Sequence, residues 1–136
     1  MTSSKSNKSY TYTIGRRREA VANIKLFKGK GESTINKKPL ETYFPLLSQK
    51  IVYSRPFVVT STTDKYYFEA RTSGGGKMGQ LKAVTLAISR ALKEIDDKFR
   101  PLLRTAGLLT VDSRVRERRM VGTGGKSRRT KQSPKR

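Results

Sequence analysis

The chain has 136 residues and a formal net charge of +21, so it fits one domain with a modest core and exceeds the charge of about 2–8 that solubility calls for. It contains neither cysteine nor histidine, which excludes disulfides, zinc sites built on those ligands and imidazole general bases. No apolar run reaches the length of a membrane span, and Met1 to Lys8, rich in Ser and Lys, lacks the apolar stretch of a signal peptide.

In chain order, Tyr10 to Gly15 and Val21 to Phe27 are predicted as strands joined across Arg16-Arg17-Arg18. In the second, Ala22, Ile24 and Leu26 alternate with Asn23, Lys25 and Phe27, the period of a half-buried strand. Gly29-Lys30-Gly31 is a hairpin signal, with Glu32 to Asn36 as a short return strand. Lys37-Lys38-Pro39 turns the chain, Pro39 begins a short helix through Leu40 to Phe44, and Pro45 ends it. Leu46 to Tyr53 is a second short helix, closed by Pro56. Phe57 to Thr60 and Tyr66 to Arg71, β-branched or aromatic, are predicted as strands across a hairpin loop at Ser61 to Asp64.

The longest helix follows Gly74-Gly75-Gly76. Met78, Leu81, Val84, Ile88, Ala91, Leu92 and Ile95 recur at steps of three and four, with Lys82, Ser89, Lys93 and the discordant Leu86 on the other side. Pro101 opens a last short helix with Gly107 as its C′ residue, and Leu108 to Val111 adds a short strand. These elements predict an α+β fold: two layers, a mostly antiparallel sheet with helices on one face, and an extended basic C-terminal tail.

That tail, 112–136, holds ten Lys or Arg against two acids and three hydrophobic residues. It cannot bury enough apolar surface to offset its ordering entropy, so alone it is expected to be disordered and to lie on a polyanion, most simply nucleic acid. The charge divides into +5 for residues 1–18, +8 for 19–111 and +8 for 112–136, so the domain is basic in its own right. The expected organisation is a mobile basic arm at 1–11, a domain at 12–111 and the tail at 112–136.

Three adjacent arginines cannot all face a core, so at least two of Arg16, Arg17 and Arg18 must project, either into solvent or onto phosphates. Glu19 beside them reads as an internal ion-pair partner. Gly74-Gly75-Gly76-Lys77-Met78-Gly79-Gln80 joins a strand to a helix start, where bare N–H groups and the positive helix end suit an anion. A tight connection alone explains one or two glycines there. The loop fits a nucleotide in an enzyme or a backbone phosphate in RNA, and does not choose between them. Gly-Gly-Lys-Ser within Gly122 to Ser127 is not a Walker loop: its first glycine would fall at Met120, with no strand before and no helix after. The acids Asp96 and Asp97 are expected to contact Lys98, Arg100 or a neighbour. The aromatics Tyr43, Phe44, Phe57, Tyr66, Tyr67 and Phe68 pack by default; Tyr66 and Phe68 would make a base-stacking platform only if exposed on one sheet face.

Taken together, Gly15-Arg-Arg-Arg-Glu-Ala-Val-Ala22, Gly29-Lys-Gly31, Lys38-Pro-Leu-Glu-Thr-Tyr-Phe-Pro45, Gly74-Gly-Gly76, Gly79-Gln80 and Ser89-Arg-Ala-Leu92 form an ordered series of motifs. Arg100-Pro-Leu102, Ala106-Gly107-Leu-Leu-Thr110, Asp112-Ser-Arg-Val-Arg-Glu-Arg118 and Lys135-Arg136 continue it. The series covers 12–136 and resembles the family of the ninth protein of the small ribosomal subunit, in its bacterial or organellar form. The resemblance implies a left-handed βαβ crossover, against the usual preference. It also implies a place in the subunit head on 16S-type ribosomal RNA, among neighbouring head proteins, with a tail reaching the anticodon arm of the peptidyl-site tRNA. On this reading the RNA-binding residues are Arg16, Arg17, Arg18, Gly74, Gly75, Gly76, Lys77, Gln80, Arg114, Arg116, Arg118, Arg119, Lys126, Arg128, Arg129 and Lys131. Lys135 and Arg136 are the tRNA-proximal pair. Family tails end aromatic-Ser-Lys-Arg; here Gln132-Ser133-Pro134 precedes the pair, with no aromatic and an inserted proline.

The expected function is therefore that of a non-enzymatic ribosomal constituent, with no cofactor, metal, membrane or small-molecule substrate. The alternative is a nucleotide-binding enzyme using the Gly74–Gly79 loop, and a third reading is a histone-like coat. Localisation is expected at a ribosome, bacterial or organellar; the Lys/Ile/Asn bias leans towards a plastid.

Overall fold

The computed structural model of the protein describes residues 9–122. Five strands form one sheet: β1 (Tyr10–Arg17), β2 (Ala20–Lys28), β3 (Thr34–Ile35), β4 (Lys38–Pro39) and β5 (Tyr66–Ser73), in the order β1-β2-β5-β3-β4. Between β4 and β5 lie α1 (Leu40–Tyr43) and α2 (Leu47–Val59); α3 (Lys77–Ile95) and α4 (Phe99–Thr105) follow β5. All pairings are antiparallel except β3 with β5. Those two parallel neighbours are joined through β4, α1 and α2, which is the βαβ unit of the fold. The α+β, antiparallel-rich, two-layer reading holds. Tyr10 and Thr11, read from sequence both into the first strand and into the arm, belong to β1.

Alternation in β1, β2 and β5 turns Thr13, Gly15, Ala22, Ile24, Leu26, Phe68 and Ala70 towards the helices, where they are buried. Gly15 lies where the two layers approach closely: a Cβ there would lie 2.0 Å from the Ala83 carbonyl oxygen of α3. Small residues at Ala22, Ala83 and Ala87 keep that seam narrow, and Thr13 Oγ1 donates to the Ala87 carbonyl at 2.8 Å.

The structure departs from several of the sequence expectations. Gly29-Lys30-Gly31 does not turn a hairpin. The β2 strand carries β1 on one side and β5 on the other along eight registered pairs, so the return segment is displaced beyond β5 and only Thr34–Ile35 forms strand. Phe57 to Thr60 is not a strand, because α2 runs through it with Pro56 inside. The β-branched run there favours a strand, but burying Tyr53 and Pro56 and stacking Phe57 on Phe68 (centroids 6.4 Å apart) outweighs that local preference. Thr60 closes the helix through its N–H and Oγ1, both donating to the Pro56 carbonyl. Ser61 to Asp64 is thus a helix-to-strand turn, with Ser61 and Asp64 at positive φ.

The α3 helix is buried on more sides than its apolar stripe predicts. It packs on β1 and β2 with one face and on α2 and α4 with others, so Leu86 and Ser89 are buried as well. Ser89 is satisfied by donating to the Thr85 carbonyl at 2.9 Å. Met78 and Ile95, at the two ends of the stripe, are exposed instead. Pro101 is the third residue of α4, not the first. Gly107 does end it: at φ 73° its N–H donates to Arg104 O and the Leu108 N–H to Leu103 O, both at 3.0 Å, a Schellman closure. Leu108 to Val111 forms no strand, and Leu108 and Leu109 pack on the core instead.

Candidate nucleic-acid interface

The β1 strand continues through Arg16 and Arg17, so alternation sends those two side chains to opposite faces of the sheet. Arg16 is exposed. Arg17 turns to the helix side, 7 % exposed, and donates through Nη1 to the Arg114 carbonyl at 2.9 Å. Its Nη2 stands 3.4 Å from Asp112 Oδ2. Arg17 therefore takes Asp112 as its carboxylate rather than Glu19, and seats the root of the tail on the domain. Arg18, at φ 55° in the tight β1–β2 turn, is exposed. Two of the three arginines project, as expected.

Asp112 also accepts from Arg114, at 3.1 Å from the backbone N–H, 2.9 Å from Nε and 2.8 Å from Nη2. Those hydrogen bonds, first the side-chain ones and then the backbone one, hold its carboxyl well below the usual carboxylate range, with the charges of Arg114 and Arg17 adding to them.

The glycine loop packs on the same turn. Gly74 and Gly75 lie at φ 71° and 60°; a Cβ on Gly74 would meet the Glu19 carbonyl at 2.4 Å, and one on Gly75 the Ala20 Cβ at 3.1 Å. Conformation and close approach account for these two. Gly76 is different: it caps the start of α3 in extended geometry and faces open space, with no side chain capping the helix. The first N–H groups of the helix point outward there, at its positive end. Gln80 braces the loop from behind. Its Nε2 donates to the Gly74 carbonyl at 3.0 Å, and its Oε1 accepts from the Tyr43 hydroxyl. Tyr43 also hydrogen-bonds Thr72 Oγ1 at 3.1 Å, and Lys77 Nζ rests 3.3 Å from the centroid of its ring. Gln80 thus positions the loop, and Lys77 is held at its lip by a cation–π contact.

These segments converge on one open concavity of about 570 Å³. Arg17, Arg18, Lys77, Lys82 and Arg116 line it with the backbone of Gly75, Gly76 and Gly79, and Glu19 is the one carboxylate among its lining residues. Met78 and Val115 supply apolar wall. Such a surface suits phosphate oxygens: fixed N–H donors, mobile ammonium groups and almost no opposing charge.

Of the residues nominated from sequence, Arg17, Arg18, Gly75, Gly76, Lys77 and Arg116 line this concavity. Sequence reasoning missed Lys82, Tyr43 and Asp112; of these, Lys82 was signalled by lying in the first two turns of the helix after the loop. Arg114, Arg118 and Arg119 are exposed. Lys126, Arg128, Arg129, Lys131, Lys135 and Arg136 lie outside the described residues. Tyr66 and Phe68 make no stacking platform: Phe68 is core and Tyr66 is half-buried against it, since that side of β5 faces the helices. Asp96 accepts from the Lys98 backbone N–H at 2.9 Å, a local closure rather than a site.

Comparison with known proteins places the chain among ribosomal proteins. The family described as "Ribosomal protein S9/S16" matches residues 15–136. Among curated proteins, the chain is 43 % identical over 119 residues to "Small ribosomal subunit protein uS9" of Maridesulfovibrio salexigens, covering 88 % of this chain and 92 % of that one. To the protein of the same name from Lawsonia intracellularis it is 44 % identical over 113 residues, covering 83 % and 87 %. Both organisms are bacteria, so these relatives lend no support to a plastid. They are ribosomal proteins rather than enzymes, which removes the nucleotide-enzyme reading of the glycine loop. The chain belongs to the ribosomal protein S9/S16 family.

Proposed function

We propose that this protein is a structural constituent of the small ribosomal subunit, docked in the subunit head on 16S-type ribosomal RNA beside neighbouring head proteins. The observation that carries this is the convergence of Arg18, Lys77, Lys82 and Arg116, from three separate stretches of chain, around the uncapped start of α3. The domain binds RNA backbone there, and the arginines after Asp112 lead away from that point along the RNA. Contacts of this kind position a protein and read shape rather than base sequence. Arg17 and Gln80 act one step behind the surface, fixing the tail root and the loop. The basic residues ahead of β1, the domain and the tail from Asp112 onward then serve one partner. The tail ends at the peptidyl-site tRNA, where Lys135 and Arg136 meet phosphates of the anticodon arm.

Salt titration of binding to 16S ribosomal RNA tests the docking surface. The variant Arg18→Ala/Lys77→Ala/Lys82→Ala is expected to bind more weakly and to flatten the slope of log K against log salt. Each phosphate that the protein no longer neutralises takes about 0.7–0.9 off that slope. An unchanged slope would show that this cluster faces solvent in the complex.

A further inference from the structure

The face of the sheet turned away from the helices carries a second, separate arrangement. Its outward positions fall in cross-strand rows. Tyr10, Phe27 and Tyr67 are in register across β1, β2 and β5, and the next row is Tyr12, Lys25 and Glu69. Phe27 is 8 % exposed, with its ring stacked on Tyr67 at 5.1 Å and tilted against Tyr10 at 5.7 Å. The backbone of Gly31 closes over Tyr67, so that a Cβ there would lie 2.8 Å from the ring. Phe27 and Tyr67 therefore form a fixed floor. Tyr10 and Tyr12 stand at its edge, 51 % and 49 % exposed.

Two tyrosines at positions i and i+2 of one strand share a face about 7 Å apart, the repeat of two residues of extended chain. Lys25 Nζ lies 4.9 Å from the Tyr10 ring centroid, and beside it a concavity of about 740 Å³ is lined by Asn23, Lys25, Lys37, Glu69 and Arg71, among others. Glu69 is the one carboxylate among the outward positions of β1, β2 and β5, against Arg16, Lys25 and Arg71. The face thus pairs exposed aromatic rings with surplus positive charge. That combination fits a polyanion bearing flat bases better than an apolar protein surface, and it requires unpaired bases, because a duplex hides theirs.

We propose that this open sheet face is a second RNA surface, taking a single-stranded segment with bases stacked on Tyr10 and Tyr12 and phosphates beside Lys25, Lys37 and Arg71. The proposal rests on the ribosomal-RNA reading given above but uses none of the residues of the 570 Å³ concavity.

The test compares full-length protein with its Tyr10→Leu/Tyr12→Leu and Tyr10→Phe/Tyr12→Phe variants. The probes are a mixed-sequence single-stranded oligoribonucleotide and the same strand in a duplex, at raised salt to suppress purely electrostatic binding. The Leu pair should lose about fivefold or more in affinity for the single strand and nothing on the duplex, while the Phe pair keeps its binding. Equal effects on both probes, or none, would overturn the proposal. As a measurement independent of variant folding, a photocrosslinker at position 12 in assembled subunits should join to RNA; joining to a protein would overturn it too. If only the Arg18/Lys77/Lys82 variant weakens 16S binding, this inference alone fails. If only the Leu pair weakens RNA binding, this inference stands and the docking surface proposed above fails.

Discussion

Arg17 and Arg18 are adjacent and do opposite things. A period of two puts Arg17 under the helices, where it holds Asp112 and the Arg114 carbonyl, while the turn throws Arg18 outward. The run was legible as basic; which member was structural was not, because its partner Asp112 lies far along the chain. The clamp has a signature in pH. The folded pKa of Asp112 lies below its ordinary 3.8, so its contribution is complete above that value. It is lost as pH falls from there through the folded value. Titration of the Asp112 carboxyl carbon by NMR should give a midpoint below 3.8. Arg114→Ala should raise that midpoint more than Arg17→Ala, because the Arg114 hydrogen bonds are the larger cause. A wild-type midpoint at the ordinary value would mean that the Asp112–Arg114 hydrogen bonds do not form.

At the scale of elements, the close approach at Gly15 governs how α3 meets the sheet. A Cβ there has no room against the Ala83 carbonyl, which belongs to the helix backbone and cannot rotate away. Gly15→Ala should destabilise the domain by about 1–3 kcal/mol or more, read as a lower urea midpoint at constant m. An unchanged midpoint would contradict the tight seam. The long helix, the first two strands and Gly107 were legible because periodicity and a C′ glycine are local signals. The β2–β3 connection was not. A Gly-x-Gly segment between two apolar stretches has the form of a hairpin, and only the long β2–β5 ladder, made with a strand some forty residues later, excludes it. The Phe57 to Thr60 run failed for a related reason: its residues favour strand locally, and a helical face with Tyr53 and Pro56 in the core decides otherwise.

For the whole molecule, charge and motif order carried the reading. A net +21 spread over arm, domain and tail pointed to a polyanion, and the motif series pointed to one family, which the comparisons bear out. The glycine loop alone could not separate enzyme from RNA binder, since half its glycines answer to packing against Glu19 and Ala20. Sequence also hid the convergence of loop, turn and tail root, which exists only after folding. The tail carries its own prediction. Removing Lys135 and Arg136 should leave subunit assembly intact, because eight other basic residues remain between 112 and 134. It should speed dissociation of peptidyl-site tRNA, and equal rates over a range of magnesium and salt would remove the tRNA role.

The docking surface is tested most directly by an electron cryomicroscopy map of the assembled small subunit at side-chain resolution. Ribosomal RNA phosphates are predicted within hydrogen-bonding distance of Arg18, Lys77 and Lys82, with one at the N–H groups that open α3. A map in which those side chains face bulk solvent or another protein would contradict the account.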